Sequence, residues 1–328
     1  MIDRRHFLLA ASASAASACL LAKSGSASPA PNPQTDAAQT DAAQTGKMPV
    51  QFSLNTSTIR GHKLSITEQV DVASNAGYDG IEPWIRDLEE YVTGGGNLPD
   101  LKKRIEDSGL AVVSAIGFAK WIVDDDAERA AGLEQAKRDM ELVKAIGGTR
   151  MAAPPIGAHG GKDTSPPLEV IAQRYRALLE VGDATGVVPQ LELWGFSPTL
   201  SKLPELAYVA AGAEHDSACV LPDFYHIYKG GSDFSALGMI EASRMHCFHI
   251  NDYPDNPPRK DIADKDRVFP GDGVCALPQI IRGLIDNGFT GTFSLELFNP
   301  EYWQRDALEV AKEGLEKSKA VVSQAIAL

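Results

Sequence analysis

PQLEL (189–193), ACVLPD (218–223), MHCFHI (245–250) and FSLEL (293–297) each run a short apolar segment up to one acidic or imidazole side chain: Glu192, Asp223, His249 and Glu296. A parallel strand covered by a helix reads as a continuous apolar run, without the alternation of a half-exposed strand. If the four are neighbouring parallel strands, their terminal side chains emerge at one end of the sheet. Three carboxylates and an imidazole gathered there suit a hard or borderline divalent cation.

Working outward, the same pattern repeats eight times. Candidate strands are 50–56, 80–84, 111–117, 149–154, 189–193, 218–223, 245–250 and 292–297. Between them lie helical patterns at 67–75, 98–108, 127–146, 168–185, 199–211, 234–242, 277–287 and 305–327. Several helices stop at a glycine, as in Asn75-Ala76-Gly77 and Asn287-Gly288, and others start at Thr67-Glu68 or Pro99-Asp100. Eight strand-then-helix units without a linker predict a closed (β/α)8 TIM barrel. An open doubly wound sheet would carry a glycine-rich phosphate turn after its first strand. Asn55, Thr56, Ser57 and Thr58 stand there instead.

The barrel is expected to occupy 48–328, preceded by two other regions. Residues 1–30 hold Arg4 and Arg5 followed by a mild Ala/Ser/Leu run, the layout of a twin-arginine export signal, too short and too Ser-rich for a stable membrane span. Residues 31–47 repeat TDAAQ in a Pro/Thr/Asp/Gln stretch with little to bury, which predicts a disordered spacer. A periplasmic or otherwise exported protein follows as the expectation. Cys19 is not read as a lipid anchor, because Leu20 and Leu21 continue the apolar run behind it.

A net charge of −13 and a pI near 5.0 leave no basic stripe for phosphate backbones, which excludes a nucleic-acid partner and favours a small molecule. Cys219, Cys247 and Cys275 are odd in number and without ligand spacing, so they read as small buried hydrophobes.

One buried Glu between leucines is commonly a salt bridge to a neighbouring Arg; four such side chains at adjacent strand ends are not. Glu192, Asp223, His249 and Glu296 are therefore the expected metal ligands, with Glu192 and Glu296 moving protons. The ion would hold neighbouring carbonyl and hydroxyl oxygens of a substrate and favour an enediolate. His226, one turn past Asp223, is a candidate donor to a substrate oxygen. A long loop, 253–268, offers Arg267 and then Arg259 for substrate binding. Glu82 and Trp84 end the second strand and His159 follows the fourth, placing all three among candidate substrate contacts. Trp84, Trp121 and Trp194 could each pack on a sugar ring or serve only the core.

Asp223-x-x-His226, His249-x-Asn251-Asp252, the segment Asp266-Arg267-Val268-Phe269-Pro270-Gly271-Asp272-Gly273 and the run from Ser294 to Tyr302 resemble the xylose-isomerase-like TIM barrel superfamily. Within it they are most similar to 2-keto-myo-inositol isomerases, and more loosely to ketose 3-epimerases and inosose dehydratases. The resemblance implies one divalent ion (Mn, Co, Mg or Zn) on Glu192, Asp223, His249 and Glu296, and substrate contacts at His226 and Arg267. It implies a carbohydrate or cyclitol substrate, and is compatible with a homo-oligomer. A dehydratase or lyase, an endonuclease acting at abasic sites, and a non-catalytic sugar-binding barrel are the rivals. Pro222, directly before Asp223, departs from the usual Leu-Asp or Val-Asp ending, as does the export signal.

Overall fold

Eight parallel strands form the inner ring of a computed structural model that describes residues 48–160 and 165–328. They are β1 (Gln51–Asn55), β2 (Gly80–Glu82), β3 (Ala111–Val112), β4 (Arg150–Ala153), β5 (Val188–Glu192), β6 (Val220–Leu221), β7 (Cys247–Ile250) and β8 (Thr292–Leu295). Pairing runs β3-β2-β1-β8-β7 through one arc and β4-β5-β6 through the other. Two junctions close the ring. The Ala152 N–H donates to the Ala115 carbonyl at 2.8 Å, and the His249 N–H to the Pro222 carbonyl at 2.9 Å beside an Asp223–His249 bridge. The expected signal at 1–30, the expected spacer at 31–47 and Gly161-Lys162 of the loop after β4 lie outside the described residues.

The outer layer is α1 (Ile66–Ala76), α2 (Ile85–Thr93), α3 (Leu98–Asp107), α4 (Asp126–Ala145), α5 (Leu168–Thr185), α6 (Leu203–Gly212), α7 (Phe224–Gly230), α8 (Leu277–Asp286) and α9 (Ala307–Ile326). Local chemistry sets the ends. Ser65 and Glu68 form a reciprocal capping box on α1, and Gly77 closes it at φ 89°, where a side chain would be strained. The last helix buries Val310, Ala311, Leu315 and Val322 and packs on both α8 and α1, so the last helix of the barrel seals against its first. Among the described residues no helix is long and apolar enough to cross a membrane.

Several expectations change. Residues 234–242 form only short 3-10 turns, because Asp233 folds back to accept the Ser235 N–H and Ile240 is extended. The helix after β6 is α7, which starts at Asp223 itself and stops at Gly231 with φ 77°. Helix α2, unforeseen, follows Trp84 immediately. β6 keeps two residues of an expected six, since Pro222 has no N–H to continue the ladder.

Asp139 on α4 is buried with its Oδ2 unpartnered. Burial first, and then the Glu89 charge, push its carboxyl up from 3.8 to about 6. The unfolded chain loses this proton near pH 4 and the folded chain later, so stability falls as pH rises through that interval and stays lower above it. Asp139→Asn is expected to stabilise by about 1 kcal/mol at pH 7 and not at all near pH 3.5. Urea unfolding at both pH values checks this; equal effects would refute it.

Candidate metal centre and active site

Side chains on a strand alternate between faces, so every second residue enters the barrel. That parity puts Ser53 and Asn55 of β1, Gln190 and Glu192 of β5, Cys247 and His249 of β7, and Ser294 with Glu296 at the end of β8 on one inner wall, all of them buried. Register aligns their upper members: Asn55 lies opposite Glu82, His249 opposite Ser294, and Asp223 bridges His249.

His249 is the hub. Its Nδ1 lies 3.2 Å from Glu296 Oε2 and 3.7 Å from Asp223 Oδ2, and its Nε2 lies 3.1 Å from Glu82 Oε2. Two sets of ligand atoms, Asp223–His249–Glu296 and Glu82–Cys247–His249, each fall within 4.8 Å of one another. Glu82 Oε2 also accepts from Ser294 Oγ (2.7 Å) and Asn55 Nδ2 (3.0 Å), while the same Asn55 nitrogen reaches Glu296 Oε1 at 3.1 Å. Asp223 divides its oxygens. Oδ1 caps α7 by accepting the His226 N–H at 2.9 Å, and Oδ2 accepts from Asn251 Nδ2 and Arg267 Nη1, both at 3.0 Å.

Arg267, only 1% exposed, ties the cluster together. Nη1 bridges Asp223 Oδ2 and Glu296 Oε2 (2.8 Å), and Nη2 reaches Asp264 Oδ1 (2.5 Å) and His226 Nε2 (3.0 Å). A guanidinium can only donate, so His226 Nε2 accepts and that ring is neutral with its proton on Nδ1. Burial and then the Arg267 charge hold the His226 pKa down. Its Nδ1–H is buried without a protein partner.

Burial disfavours charge on His249, but Glu296 and Glu82 outweigh it and keep the ring protonated well above its usual range. Glu296 is the converse: burial raises it, and His249 and Arg267 hold it well below the usual carboxylate range. Glu192 is pushed up to about 8 by burial, with His249 opposing. Buried polar atoms normally find partners, yet Glu82 Oε1 and Glu192 Oε2 have none. Orphaned carboxylate oxygens beside the converging ligand atoms of Asp223, His249 and Glu296 fit one divalent cation, and binding it displaces the His249 proton. The cluster is a divalent-metal site. Glu192 belongs to neither triad, though its charge is felt by both His249 and Glu296.

A family model described as a xylose isomerase-like TIM barrel matches residues 70–320. The chain belongs to that family. Among curated proteins, the inosose isomerase of Halalkalibacterium halodurans is 26% identical over 262 residues, covering 79% of this chain and 92% of the relative. That of Bacillus velezensis is 25% identical, covering 79% and 93%. A crystal structure of the IOLI protein with a bound zinc atom superposes with a TM-score of 0.78 at 22% identity, covering 84% of this chain and 99% of that one, a likeness of fold.

The mouth of this xylose isomerase-like barrel is aromatic. Trp84, Phe118, Trp194 and Phe196 follow one another at centroid spacings of 5.1, 6.4 and 5.1 Å, and Phe196 reaches His226 at 5.6 Å. Trp84 is fixed by its Nε1–H to Asn55 Oδ1 at 3.3 Å. His159 stands edge-on to Trp194 at 5.4 Å, its Nδ1 accepting the Gly157 N–H. Glu82, opposite Asn55 at the strand end, lies against His249, and Trp121 is core, donating to the Pro154 carbonyl at 2.8 Å. The 253–268 loop is clamped at its base by a two-way Asp252–Val268 backbone pair, which seats Arg267 inside; Arg259 is exposed on its outside. Asp252 also gathers the N–H groups of Tyr253, Gly271, Gly273 and Cys275.

Sequence reasoning missed Asn55, Ser294, Asp264, Phe118 and Phe298 as parts of the site. Strand parity would have found two of them: Asn55 ends β1, and Ser294 is two residues before Glu296.

Proposed function

We propose that the chain is a divalent-metal-dependent isomerase or epimerase of a keto-sugar or keto-cyclitol. The carrying observation is the convergence of Asp223, His249 and Glu296 within 4.8 Å, on three consecutive strand ends, beside a second buried glutamate. The relatives named inosose isomerases make keto-inositols the first substrates to try.

Asp223, His249, Glu296 and Glu192 would hold the ion. The chemistry a bound cation supplies there is stabilisation of negative charge on adjacent carbonyl and hydroxyl oxygens. The chain does the rest. One of Glu192 and Glu296 removes the proton from the carbon next to the carbonyl, and the same or the opposite one returns it. Return to the neighbouring carbon gives an isomer; return to the other face gives an epimer. His226 Nδ1–H donates to a substrate oxygen, Arg267 holds Glu296 and Asp223 in place, and Trp84 and His159 border the bound ring while Glu82 orients His249 through Nε2.

Metal-loaded protein incubated with keto-inositols and keto-sugars in deuterated water is expected to place deuterium next to the carbonyl without loss of water, as read by NMR. A chelator should abolish the exchange and added metal restore it. Loss of water would move the chain to the dehydratase reading, and no exchange with any candidate would end the isomerase reading.

We further propose that the catalytic barrel, 48–328, is exported, on the strength of Arg4-Arg5 and the apolar run behind them. Finding the protein in the cytoplasmic fraction alone would overturn this.

A further inference from the structure

Beside the metal centre, on the rim, sits a guanidinium that the proposed reaction does not use. Arg60 is half-buried, with its Cζ 4.8 Å from the Trp84 ring and 5.7 Å from the Phe298 ring, and among the described residues its side chain makes no hydrogen bond or ion pair. Its neighbour Arg86, 5.5 Å from the same indole, is compensated by Asp87 at 3.3 Å and Glu90 at 3.8 Å. Burial and then the Arg86 charge hold the Arg60 pKa down, while Asp87 and Glu296 lie near enough for their charges to oppose this. Among the described residues Arg60 is therefore a half-buried cation at the mouth with no carboxylate in direct contact.

The backbone beneath it is held firmly. Residues Thr56–His62 form a 3-10 turn in which Asn55 Oδ1 accepts the Ser57 N–H at 3.0 Å. Thr58 Oγ1 donates to the Leu295 carbonyl at 2.8 Å and accepts the Leu297 N–H at 3.1 Å, while Trp303 Nε1 donates to the Thr58 carbonyl. Gly61 backs onto Trp303 so closely that a Cβ would fall 2.2 Å from the ring. The backbone from which Arg60 projects is therefore held in place, and the position of its guanidinium on Trp84 and Phe298 leaves the donor edges unclaimed among the described residues.

We propose that Arg60, with the faces of Trp84 and Phe298, forms a subsite for an oxyanion on the substrate, a carboxylate or a phosphate, so that the natural substrate is an anionic keto-polyol. This rests on the keto-sugar reading of the metal centre. A planar fork of N–H donors matches two oxyanion oxygens at once, which a neutral hydroxyl cannot reproduce.

The test uses metal-loaded protein and three probes that differ only at one carbon: glucose, glucuronate and glucose 6-phosphate, with affinities read by calorimetry. One anion is expected to bind about tenfold or more tighter than glucose, identifying carboxylate or phosphate as the source. Arg60→Met should bring that ratio close to one, and Arg60→Lys should keep part of it. No preference in the unsubstituted protein, or a preference that survives Arg60→Met, overturns the subsite. Deuterium exchange into a keto-inositol in the same preparation reports on the reaction separately. Exchange without an anion preference sinks the subsite alone, and an Arg60-dependent preference without exchange sinks the proposed reaction alone.

Discussion

Glu296→Gln is expected to lower deuterium exchange by at least about 10³-fold while leaving the barrel folded. The carboxylate is a candidate proton carrier and a ligand, and an amide is a poor substitute for both. The local geometry adds a second reason. Asn55 Nδ2 donates to one oxygen of Glu296 at 3.1 Å and Arg267 Nη1 to the other at 2.8 Å, so a glutamine must turn its NH2 toward one of these donors. Circular dichroism should show unchanged secondary structure. Exchange within tenfold of the unsubstituted protein would remove Glu296 from the mechanism.

Arg267→Met is expected to be the most damaging change to stability, at about 3–5 kcal/mol, because it strands buried carboxylates without their cation. Asp223 Oδ2 and Glu296 Oε2 both rest on Nη1, and Asp264 and His226 on Nη2. A lysine has no planar fork with which to span these partners, so Arg267→Lys should recover little. Divalent metal should restore part of the loss, since binding to the folded state alone stabilises it by mass action and supplies positive charge to the same oxygens. Thermal melts with chelator and with excess metal distinguish the terms. A melting temperature in chelator equal to that of the unsubstituted protein would show that the guanidinium does not balance the cluster.

Asp223, His249 and Glu296 were legible as a cluster because each ends an apolar run, and a strand end is one of the few places where such a run can release a charged group; Glu192 ends such a run too but stands outside both triads. All four are buried in one neighbourhood, with three of them in mutual ligand range. Arg267 was legible as a loop residue, although nothing in a polar loop says that its side chain turns inward to 1% exposure; the Asp252–Val268 clamp decides that, through backbone groups that carry no sequence signature. Helices α2 and α7 escaped notice because they are short and start directly on a strand end, where Trp84 and Asp223 serve as both strand terminus and helix cap. Residues 234–242 have helical composition but too few residues between Asp233 and Ile240 to sustain more than short turns.

By itself the sequence determined the eightfold alternation of strand and helix, the closed barrel that this alternation requires, and the end of the barrel at which the reactive groups gather. Periodicity and chain direction are local properties, and both are written in neighbouring residues. Only the tertiary structure decided that Glu82 shares His249 with Asp223 and Glu296, that Asn55 and Ser294 orient the carboxylates, and that Arg60 stands at the rim without a carboxylate in direct contact. Those relations join residues as far apart as Asn55 and Glu296, and they depend on register and side-chain direction across the ring, which appear only once the barrel has closed.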